Sequence, residues 1–198
     1  MQAKHALICG DSGGGKTTLM REMQSTFDGV SIWINHNDER LPRATRVDNF
    51  DQLQAEIGQG GTRIDYRTGE PLAAVEHARS MAYHVLDDPM QIVVDEAHNL
   101  LPSGSVDADN PLKAALHEDR DVGVQVVVAT QDPSDLEYTP IKQVQHIVWC
   151  GEWSVFHDGF IRYFSIPRNE LPTEPYQYVV FDKRMNVNYR GETNEVFG

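Results

Sequence analysis

The stretch that decides the fold is "CGDSGGGKTTLM", residues 9–20, where four glycines fall within six positions and a lysine and two threonines follow. Glycine loses more backbone entropy on ordering than any other residue, so such a run opposes regular structure. An apolar run of strand length, residues 5–9, precedes it, and residues 16–27 carry apolar side chains at helical spacing. The glycines therefore join a buried strand to the N-terminus of a helix.

The spacing within this stretch matches G-x-x-x-x-G-K-[ST], the pattern of phosphate-binding loops. A glycine-rich turn lets several backbone N–H groups converge on one point, and the helix N-terminus adds the positive end of its dipole. The lysine of such a loop reaches the β- and γ-phosphates, and the next hydroxyl ligates Mg²⁺. We therefore predict a site for ATP and Mg²⁺ rather than a glycine-rich linker. Its predicted nucleotide-binding residues are Gly10, Asp11, Ser12, Gly13, Gly14, Gly15, Lys16, Thr17 and Thr18.

A second stretch, "QIVVDEAHNL" at residues 91–100, has a β-branched run of the buried parallel-strand type that ends in Asp95 and Glu96. We expect Asp95 to hold Mg²⁺ together with Thr17, because a P-loop enzyme needs a carboxylate at the end of a neighbouring strand. We expect Glu96 to orient or deprotonate the attacking water as the catalytic base. Acidic residues also end strands without a catalytic role, and His98 is expected to cap or pack rather than react.

A third buried strand, residues 124–129, ends in Thr130 and Gln131 before Pro133 begins a loop. The Gln131 amide both donates and accepts hydrogen bonds, which suits a sensor of the γ-phosphate or of the attacking water. The alternative is a polar residue that only terminates the strand. Gln131 therefore joins Lys16 and Glu96 among the predicted catalytic residues.

The length and composition indicate one acidic domain over residues 1–198. No apolar run approaches transmembrane length, and the N-terminus lacks the apolar core of a signal peptide. Cys9 and Cys150 lie in apolar, strand-like runs, so we expect buried thiols that suit an intracellular setting. The net charge of −13, with 30 acidic residues against 5 lysines and 12 arginines, fits an acidic soluble protein or adaptation to high salt. Such a surface repels nucleic acid, so any DNA contact must be local.

The remaining segments alternate between strands and helices, which predicts a mainly parallel sheet with helices on both faces. With the P-loop, the expected fold class is an α/β, RecA-like ASCE P-loop NTPase. The last two strand-like segments, residues 176–182 and 185–190, predict a C-terminal β-hairpin. The other predicted strands are residues 31–35, 62–67 and 145–150, and the other predicted helices are residues 50–58, 71–88 and 110–120. Packing roles are expected for Trp33, Trp149 and Trp153.

The segment from "DEAHNL" to "QHIVW", residues 95–149, resembles the FtsK–HerA superfamily of DNA-pumping ATPases. In that superfamily "DE" also ends a strand, and a helix finishes in an arginine before a strand that starts with glycine and an apolar residue. That strand ends in "ATQ-x-P", and a loop, "IK" and another strand follow. With the P-loop, the match covers residues 6–149. Members this short are the genome-packaging ATPases of icosahedral viruses with internal membranes.

The resemblance implies an ATP-driven translocase of double-stranded DNA that packages a viral genome into a preformed capsid. It implies a homo-oligomeric ring, expected to be hexameric, with capsid-vertex or viral membrane proteins as partners. Its location would be the packaging vertex of the virion or the host cytoplasm, and the acidic composition would fit a halophilic archaeal host. By position, Arg120 corresponds to an arginine that acts on a neighbour's γ-phosphate. The alternative for Arg120 is a role at the helix end, or pairing with Asp119 or Asp121.

DNA contacts are harder to place from the sequence. Arginines recur every three residues in "DERLPRATR", residues 38–46, although the adjoining acidic residues also fit a solvated loop. The superfamily's pore loops correspond to residues 102–110 and 133–142, and the first of these is acidic and lacks lysine and arginine. Backbone N–H groups could also bind phosphates there. The candidate DNA-contact residues are Arg40, Arg43, Arg46, Lys113 and Lys142.

Two other functions compete with genome packaging. One is a cellular or plasmid DNA pump, although such pumps usually carry additional docking domains. The other is a P-loop nucleotide switch or a small-molecule kinase. A kinase needs a lid and a pocket for its acceptor substrate and has no need of Gln131. A switch lacks a catalytic glutamate, whereas Glu96 is present here.

Overall fold

The computed structural model describes residues 4–36, 41–84, 88–104 and 109–193, apart from the side chain of Arg120. Its strands are β1 (Ala6–Cys9), β2 (Val30–Asn35), β3 (Thr45–Val47), β4 (Arg63–Arg67), β5 (Met90–Val94), β6 (Val124–Thr130), β7 (His146–Cys150), β8 (Gln177–Asp182) and β9 (Val187–Glu192). Its α-helices are α1 (Lys16–Thr26), α2 (Phe50–Gly58), α3 (Pro71–His84), α4 (Pro111–Glu118), α5 (Tyr138–Ile141) and α6 (Asp158–Phe164).

All nine strands lie in one sheet of order β3-β4-β2-β5-β6-β1-β7-β8-β9. The strands from β3 to β7 in this order are parallel, and β8 and β9 are antiparallel to their neighbours. Strand β6 lies between β1 and β5, with Thr130 opposite Cys9 and Val128 opposite Val94. The three stretches singled out in the sequence therefore leave adjacent strands at the same, carboxyl-terminal edge of the sheet.

Helices cover both faces of the sheet, as the sequence predicts. Ile8 packs in one buried cluster with Leu19 and Met20 of α1. Leu7 packs in the other cluster, which contains the buried residues of α2, α3, α4 and α6. Alternate residues of one strand point to opposite faces, and this explains why the central strands are apolar throughout.

The two cysteines are buried free thiols on adjacent strands. Cys9 belongs to one face of the sheet and Cys150 to the other, because Cys9 lies opposite Trp149 in the register. Burial raises the pKa of both thiols. The opposite orientation of the two side chains explains why they do not form a disulfide.

The predicted C-terminal hairpin is present as β8 and β9. Its turn is held by Asp182, whose Oδ1 accepts the backbone N–H groups of Arg184 at 2.7 Å and Asn186 at 2.9 Å. Among the predicted packing tryptophans, Trp33 and Trp149 are buried, and Trp153 packs partly buried against the core. The hairpin returns the chain toward the P-loop, where Tyr176 and Thr193 lie against Gly15.

Short elements depart from the sequence predictions. Strand β3 was not predicted, and its three residues place Arg46 in a sheet edge rather than in a loop. Helices α5 and α6 were also not predicted, since four and seven residues give too little periodicity. Helix α3 is described to His84. Of its predicted extension to residue 88, residues 85–87 lie outside the described residues, and Asp88 is not helical.

Candidate nucleotide-binding site

The phosphate-binding loop lies directly against the end of β7. A Cβ atom at Gly10 would stand 2.0 Å from the carbonyl oxygen of Cys150, and one at Gly14 would stand 2.7 Å from the same oxygen. The loop is closed on itself by the Gly14 N–H, which donates to the Asp11 carbonyl at 3.2 Å. Glycine is therefore required at both positions because the backbone of β7 occupies the space of a side chain.

Lys16 begins α1 and is only 7% exposed. Its Nζ donates to the carbonyl oxygens of Gly10 at 2.8 Å and Asp11 at 2.9 Å. An ammonium group has three N–H donors, so one remains for a phosphate oxygen. The loop thus fixes the lysine charge at the helix N-terminus, where the dipole also favours an anion.

Thr17 and Asp95 form the pair of oxygen ligands expected for a magnesium site. The Thr17 hydroxyl donates to Asp95 Oδ2 at 3.4 Å, and Asp95 is 7% exposed. No group of three or more His, Cys, Asp or Glu residues that could hold a metal occurs in the described part of the chain. Mg²⁺ typically takes one or two protein oxygens and completes its shell with water and phosphate. The Thr17–Asp95 pair therefore fits Mg²⁺ delivered with a nucleotide.

Glu96 occupies a strained position immediately after this pair. Its backbone is left-handed (φ 47°, ψ 48°), and its N–H donates to Asp95 Oδ1 at 2.8 Å. Its Oε2 is buried and accepts no hydrogen bond from the described residues. Burial, and next the charge of Asp95, raise the pKa of the Glu96 carboxyl, against the opposing influence of His98 and Lys16. Strain and a raised pKa at one carboxylate are typical of a functional group.

His98 contacts Glu96, which the sequence did not suggest. Its Nδ1 lies 3.3 Å from Glu96 Oε2 and 3.1 Å from the hydroxyl of Thr130. The same hydroxyl accepts the backbone N–H of Asp132 at 3.0 Å. The hydrogen-bond contact of Nδ1 is the one to the Thr130 hydroxyl, and its approach to Glu96 Oε2 is close but is not a hydrogen bond. His98 therefore links the candidate base to the end of β6.

His157 joins the P-loop to the end of β6, and sequence reasoning missed it. It is 2% exposed, and its Nε2 lies 3.1 Å from the Gln131 carbonyl oxygen and 3.3 Å from Asp11 Oδ1. Its Nδ1 faces the backbone N–H of Ser154 at 3.4 Å. Because Nδ1 accepts from that N–H, the proton of the neutral ring is assigned to Nε2, which donates to the carbonyl. The structure shows His157 in a capping box with Ser154, but the sequence signature of such a box has Glu or Gln at this place, so the pattern did not indicate this residue.

Nine of the predicted site residues line one cavity of about 330 Å³ at the carboxyl-terminal edge of the sheet. Tyr176, from the loop before β8, completes the wall and was not predicted. Its backbone is left-handed (φ 63°), and its carbonyl accepts the Thr193 N–H at 2.8 Å. The cavity is lined by Ser12, Gly13, Gly15, Lys16, Thr17, Thr18, Asp95, Glu96, Gln131 and Tyr176. Asp11 and Gly14 line a smaller adjoining pocket.

Arg120 lies at the other end of the molecule from this cavity. Its backbone belongs to the short 3₁₀ helix Asp119–Val122, which precedes β6, and its side chain lies outside the described residues. The seven residues of β6 span about 23 Å at ~3.3 Å per residue, so Arg120 is far from its own P-loop. The carboxylate of Asp119 is buried against Arg79, at 2.6 Å, and Tyr83, at 2.7 Å.

The DNA-contact candidates do not form one surface. Arg40 lies outside the described residues. Arg46 pairs with Asp48 at 2.8 Å, and Lys113 pairs with Glu137 at 2.5 Å. Arg43 faces a different cavity, beside Arg21 and Arg63. Lys142 is exposed, with its Nζ 5.2 Å from the centre of the Tyr163 ring.

The acidic pore-loop candidate, residues 102–110, is described except for residues 105–108. None of the described helices is both long and apolar enough to cross a membrane.

Comparison with known proteins gives related sequences and folds. Residues 1–135 match the AAA domain family. Protein P9 of Pseudoalteromonas phage PM2 is 29% identical over 166 residues, which cover 74% of this chain and 67% of P9.

Solved structures share the fold at low sequence identity. The genome packaging NTPase B204 of Sulfolobus turreted icosahedral virus 2, in complex with ATP-gammaS, superposes with a TM-score of 0.77 at 13% identity. That match covers 97% of this chain and 98% of B204. B204 from Sulfolobus turreted icosahedral virus, described as a DNA-packaging ATPase, superposes with a TM-score of 0.65 at 15% identity. This second match covers 98% of this chain and 100% of that B204 chain.

These matches confirm the P-loop NTPase fold and the resemblance to viral packaging ATPases. The family match includes the P-loop, the Asp95–Glu96 pair and the strand that ends at Gln131. The structural match extends over the C-terminal hairpin, beyond the segment that carried the sequence resemblance. With residues 1–135 of its 198 matched, the chain belongs to the AAA domain family.

Proposed function

We propose that this protein is a Mg²⁺-dependent ATPase that moves double-stranded DNA and packages a viral genome into a preformed capsid. One observation carries the ATPase: the Lys16 ammonium, the Thr17–Asp95 oxygen pair and the Glu96 carboxylate all line one cavity. A cation, a hard metal site and a base are the groups that phosphoryl transfer to water needs. The fold shared with viral packaging NTPases supports the DNA-moving part of the proposal.

Lys16 and the loop backbone bind the nucleotide phosphates in this proposal. The remaining N–H of the Lys16 ammonium reaches the β- and γ-phosphates, and the loop N–H groups surround the α- and β-phosphates. Thr17 would hold Mg²⁺ directly, and Asp95 would hold it through its water shell. When bound, the ion neutralises charge on the β- and γ-phosphates.

Glu96 acts on the attacking water. Its buried Oε2, which accepts no hydrogen bond from the described residues, takes the proton as the water oxygen bonds to the γ-phosphorus and ADP leaves. The raised pKa brings the carboxyl closer to the working pH, where a general base is most effective. His98, which lies 3.3 Å from Oε2, and the backbone N–H of Gln131, which donates to the carboxylate, orient this base. The Gln131 amide contacts the water or the γ-phosphate.

Assembly into a homo-oligomeric ring, proposed to be a hexamer, would bring Arg120 to a neighbour's active site. Its distance from its own P-loop means that any contact with a γ-phosphate is made in trans. Arg120→Ala subunits keep an intact pocket, and Lys16→Ala subunits keep an intact arginine. Mixtures of the two should recover some hydrolysis. Mixed rings that show no recovery would exclude Arg120, and Arg162 or Arg168 would be tested next.

The proposed function is tested by measuring ATP hydrolysis with and without linear double-stranded DNA, at low and high KCl concentration. We expect DNA to stimulate hydrolysis. The high-salt arm tests adaptation to a halophilic archaeal host, which stays a prediction from composition. Hydrolysis that DNA leaves unchanged at every salt concentration would favour a nucleotide switch or a small-molecule kinase. Capsid-vertex or viral membrane proteins, at the packaging vertex or in host cytoplasm, are the proposed partners.

A further inference from the structure

The lysines of this acidic chain are distributed very unevenly. The sequence contains five, of which Lys16 belongs to the P-loop and Lys113 pairs with Glu137 at 2.5 Å. The other three are Lys4, Lys142 and Lys183, and all of them are exposed. They lie together at the edge of the sheet opposite the nucleotide site.

The strand order explains why these three lysines meet. Strands β1, β7 and β8 are neighbours in the sheet, and in the register Ala6 lies opposite His146, which lies opposite Asp182. Lys4 lies two residues before β1, and Lys142 follows α5, four residues before β7. Lys183 follows β8, which runs antiparallel to the other two strands. The amino ends of two strands and the carboxyl end of the third therefore place their lysines in one row.

The positive charge of this row is only partly offset within the described part of the chain. Lys4, Lys142 and Lys183 form no ion pair within 4.0 Å there, and Arg184 adds a fourth exposed cation. The neighbouring carboxylate of Asp182 accepts the backbone N–H groups of the turn and interacts with the charge of Arg184, so it offsets one of the four cations. Burial is the largest cause that lowers the pKa of His146, and the positive charge of Lys4 is the second. Lys4 therefore lies close to β7.

The row borders an open cavity of about 460 Å³. Lys142 and Lys183 line it together with Tyr163 and Phe164. The Lys142 ammonium lies 5.2 Å from the centre of the Tyr163 ring, which is 49% exposed. A cation over an aromatic face has a defined position. The Lys142 ammonium is therefore held at the rim of this cavity.

We propose that Lys4, Lys142, Lys183 and Arg184, here called the basic edge, bind the phosphate backbone of double-stranded DNA. This inference rests on the proposed function, for which it names the DNA-contacting surface. Three adjacent strands at ~4.8 Å spacing make a row about 10 Å long. One strand of B-DNA carries about three phosphates over that length. A row of cations fits a regular polyanion, and the acidic remainder of the surface restricts binding to this edge.

The test compares two double variants that each remove two positive charges. Lys142→Gln/Lys183→Gln alters the basic edge. Arg43→Gln/Arg46→Gln alters the arginine stretch predicted from the sequence. Equilibrium binding to a short duplex is measured for the full chain between 50 and 200 mM KCl, with thermal unfolding as a check of folding. Each lost phosphate contact reduces the slope of log affinity against log salt by about 0.9.

For the lysine variant we expect the slope to fall by about 1.8. The ratio of wild-type affinity to variant affinity should then be about tenfold larger at the lowest salt concentration of the titration than at the highest. The arginine variant should keep the wild-type slope. An unchanged slope in the lysine variant, while wild type binds DNA and is stimulated by it, would overturn this inference and leave the proposed function intact. Wild type that neither binds DNA nor responds to it would overturn both.

A second experiment distinguishes DNA from an anionic membrane as the polyanion that the basic edge binds. Wild type and the lysine variant are mixed with vesicles of phosphatidylglycerol and with neutral phosphatidylcholine vesicles. We expect neither protein to sediment with the phosphatidylglycerol vesicles. Lysine-dependent vesicle binding together with an unchanged DNA slope would assign the basic edge to an anionic membrane and overturn the inference.

Discussion

Replacing Glu96 by glutamine tests the division of roles in the active site. The amide keeps the size of the side chain, and the left-handed backbone and its N–H bond to Asp95 are unaffected. It removes only the basicity of a buried oxygen that no described residue satisfies. A general base contributes about 10²–10⁴ in rate, or about 3–5 kcal/mol of transition-state stabilisation. We therefore expect turnover to fall by that factor.

ATP binding should survive the same change, because Lys16 and Thr17 are untouched and repulsion between Asp95 and Glu96 is relieved. Asp95→Asn should instead weaken Mg²⁺-dependent ATP binding, because it replaces the carboxylate beside the Thr17 hydroxyl by a neutral amide. Single-turnover hydrolysis of labelled ATP gives the rate, and titration with a fluorescent ATP analogue gives the affinity. Equal losses of affinity in the two variants would refute the assigned roles.

The pH profile gives a second readout of the same residue. The pKa of Glu96 is raised in the folded protein, chiefly by burial, and only the ionised carboxylate accepts a proton. The wild-type rate should therefore be lost as the pH falls through this raised pKa and be full above it. Glu96→Gln should show no such acidic limb. A wild-type rate that stays constant down to the ordinary pKa range of glutamate would contradict the assignment of Glu96 as the base.

Further substitutions test the rest of the site. Lys16→Ala should abolish hydrolysis, and wild-type turnover in this variant would refute the P-loop assignment. Gly14→Ala should lower the free energy of unfolding by about 1–3 kcal/mol, because its Cβ would stand 2.7 Å from the Cys150 carbonyl oxygen; an unchanged denaturant midpoint would contradict the packing. His157→Ala leaves the Gln131 carbonyl without its donor. It should cost about 1–3 kcal/mol of stability and also lower the turnover of the folded fraction. Loss of stability alone would make His157 purely structural.

The grouping of the candidate site residues was predictable because they lie at the ends of buried, apolar strands. Each of the three motifs follows an apolar run, and parallel strands bring their carboxyl ends to one edge. Adjacency could then be expected, and the 3.4 Å contact between Thr17 and Asp95 confirms it. The hairpin and the buried tryptophans were also predictable, because the sequence patterns that indicate them are local.

Residues that complete the site from a distance were not predictable. His157 reaches Asp11 because its 3₁₀ turn, Val155–His157, lies against Trp149 of β7, and three residues are too few to leave a helical period. Tyr176 reaches the P-loop because the hairpin returns the chain there. Lys113 has the composition of a DNA contact but is paired with Glu137, which lies 24 positions further along the chain. Such relations depend on strand order and loop paths, which periodicity does not encode.

Movement along DNA tests the central claim most directly. A linear duplex that carries a short triplex-forming strand is incubated with wild-type protein, Mg²⁺ and ATP, and release of the third strand is followed by fluorescence. We predict release by wild type with ATP, and no release with a non-hydrolysable analogue or with Glu96→Gln. Wild type that hydrolyses ATP yet releases no third strand, at low or high salt, would contradict an ATP-driven DNA translocase.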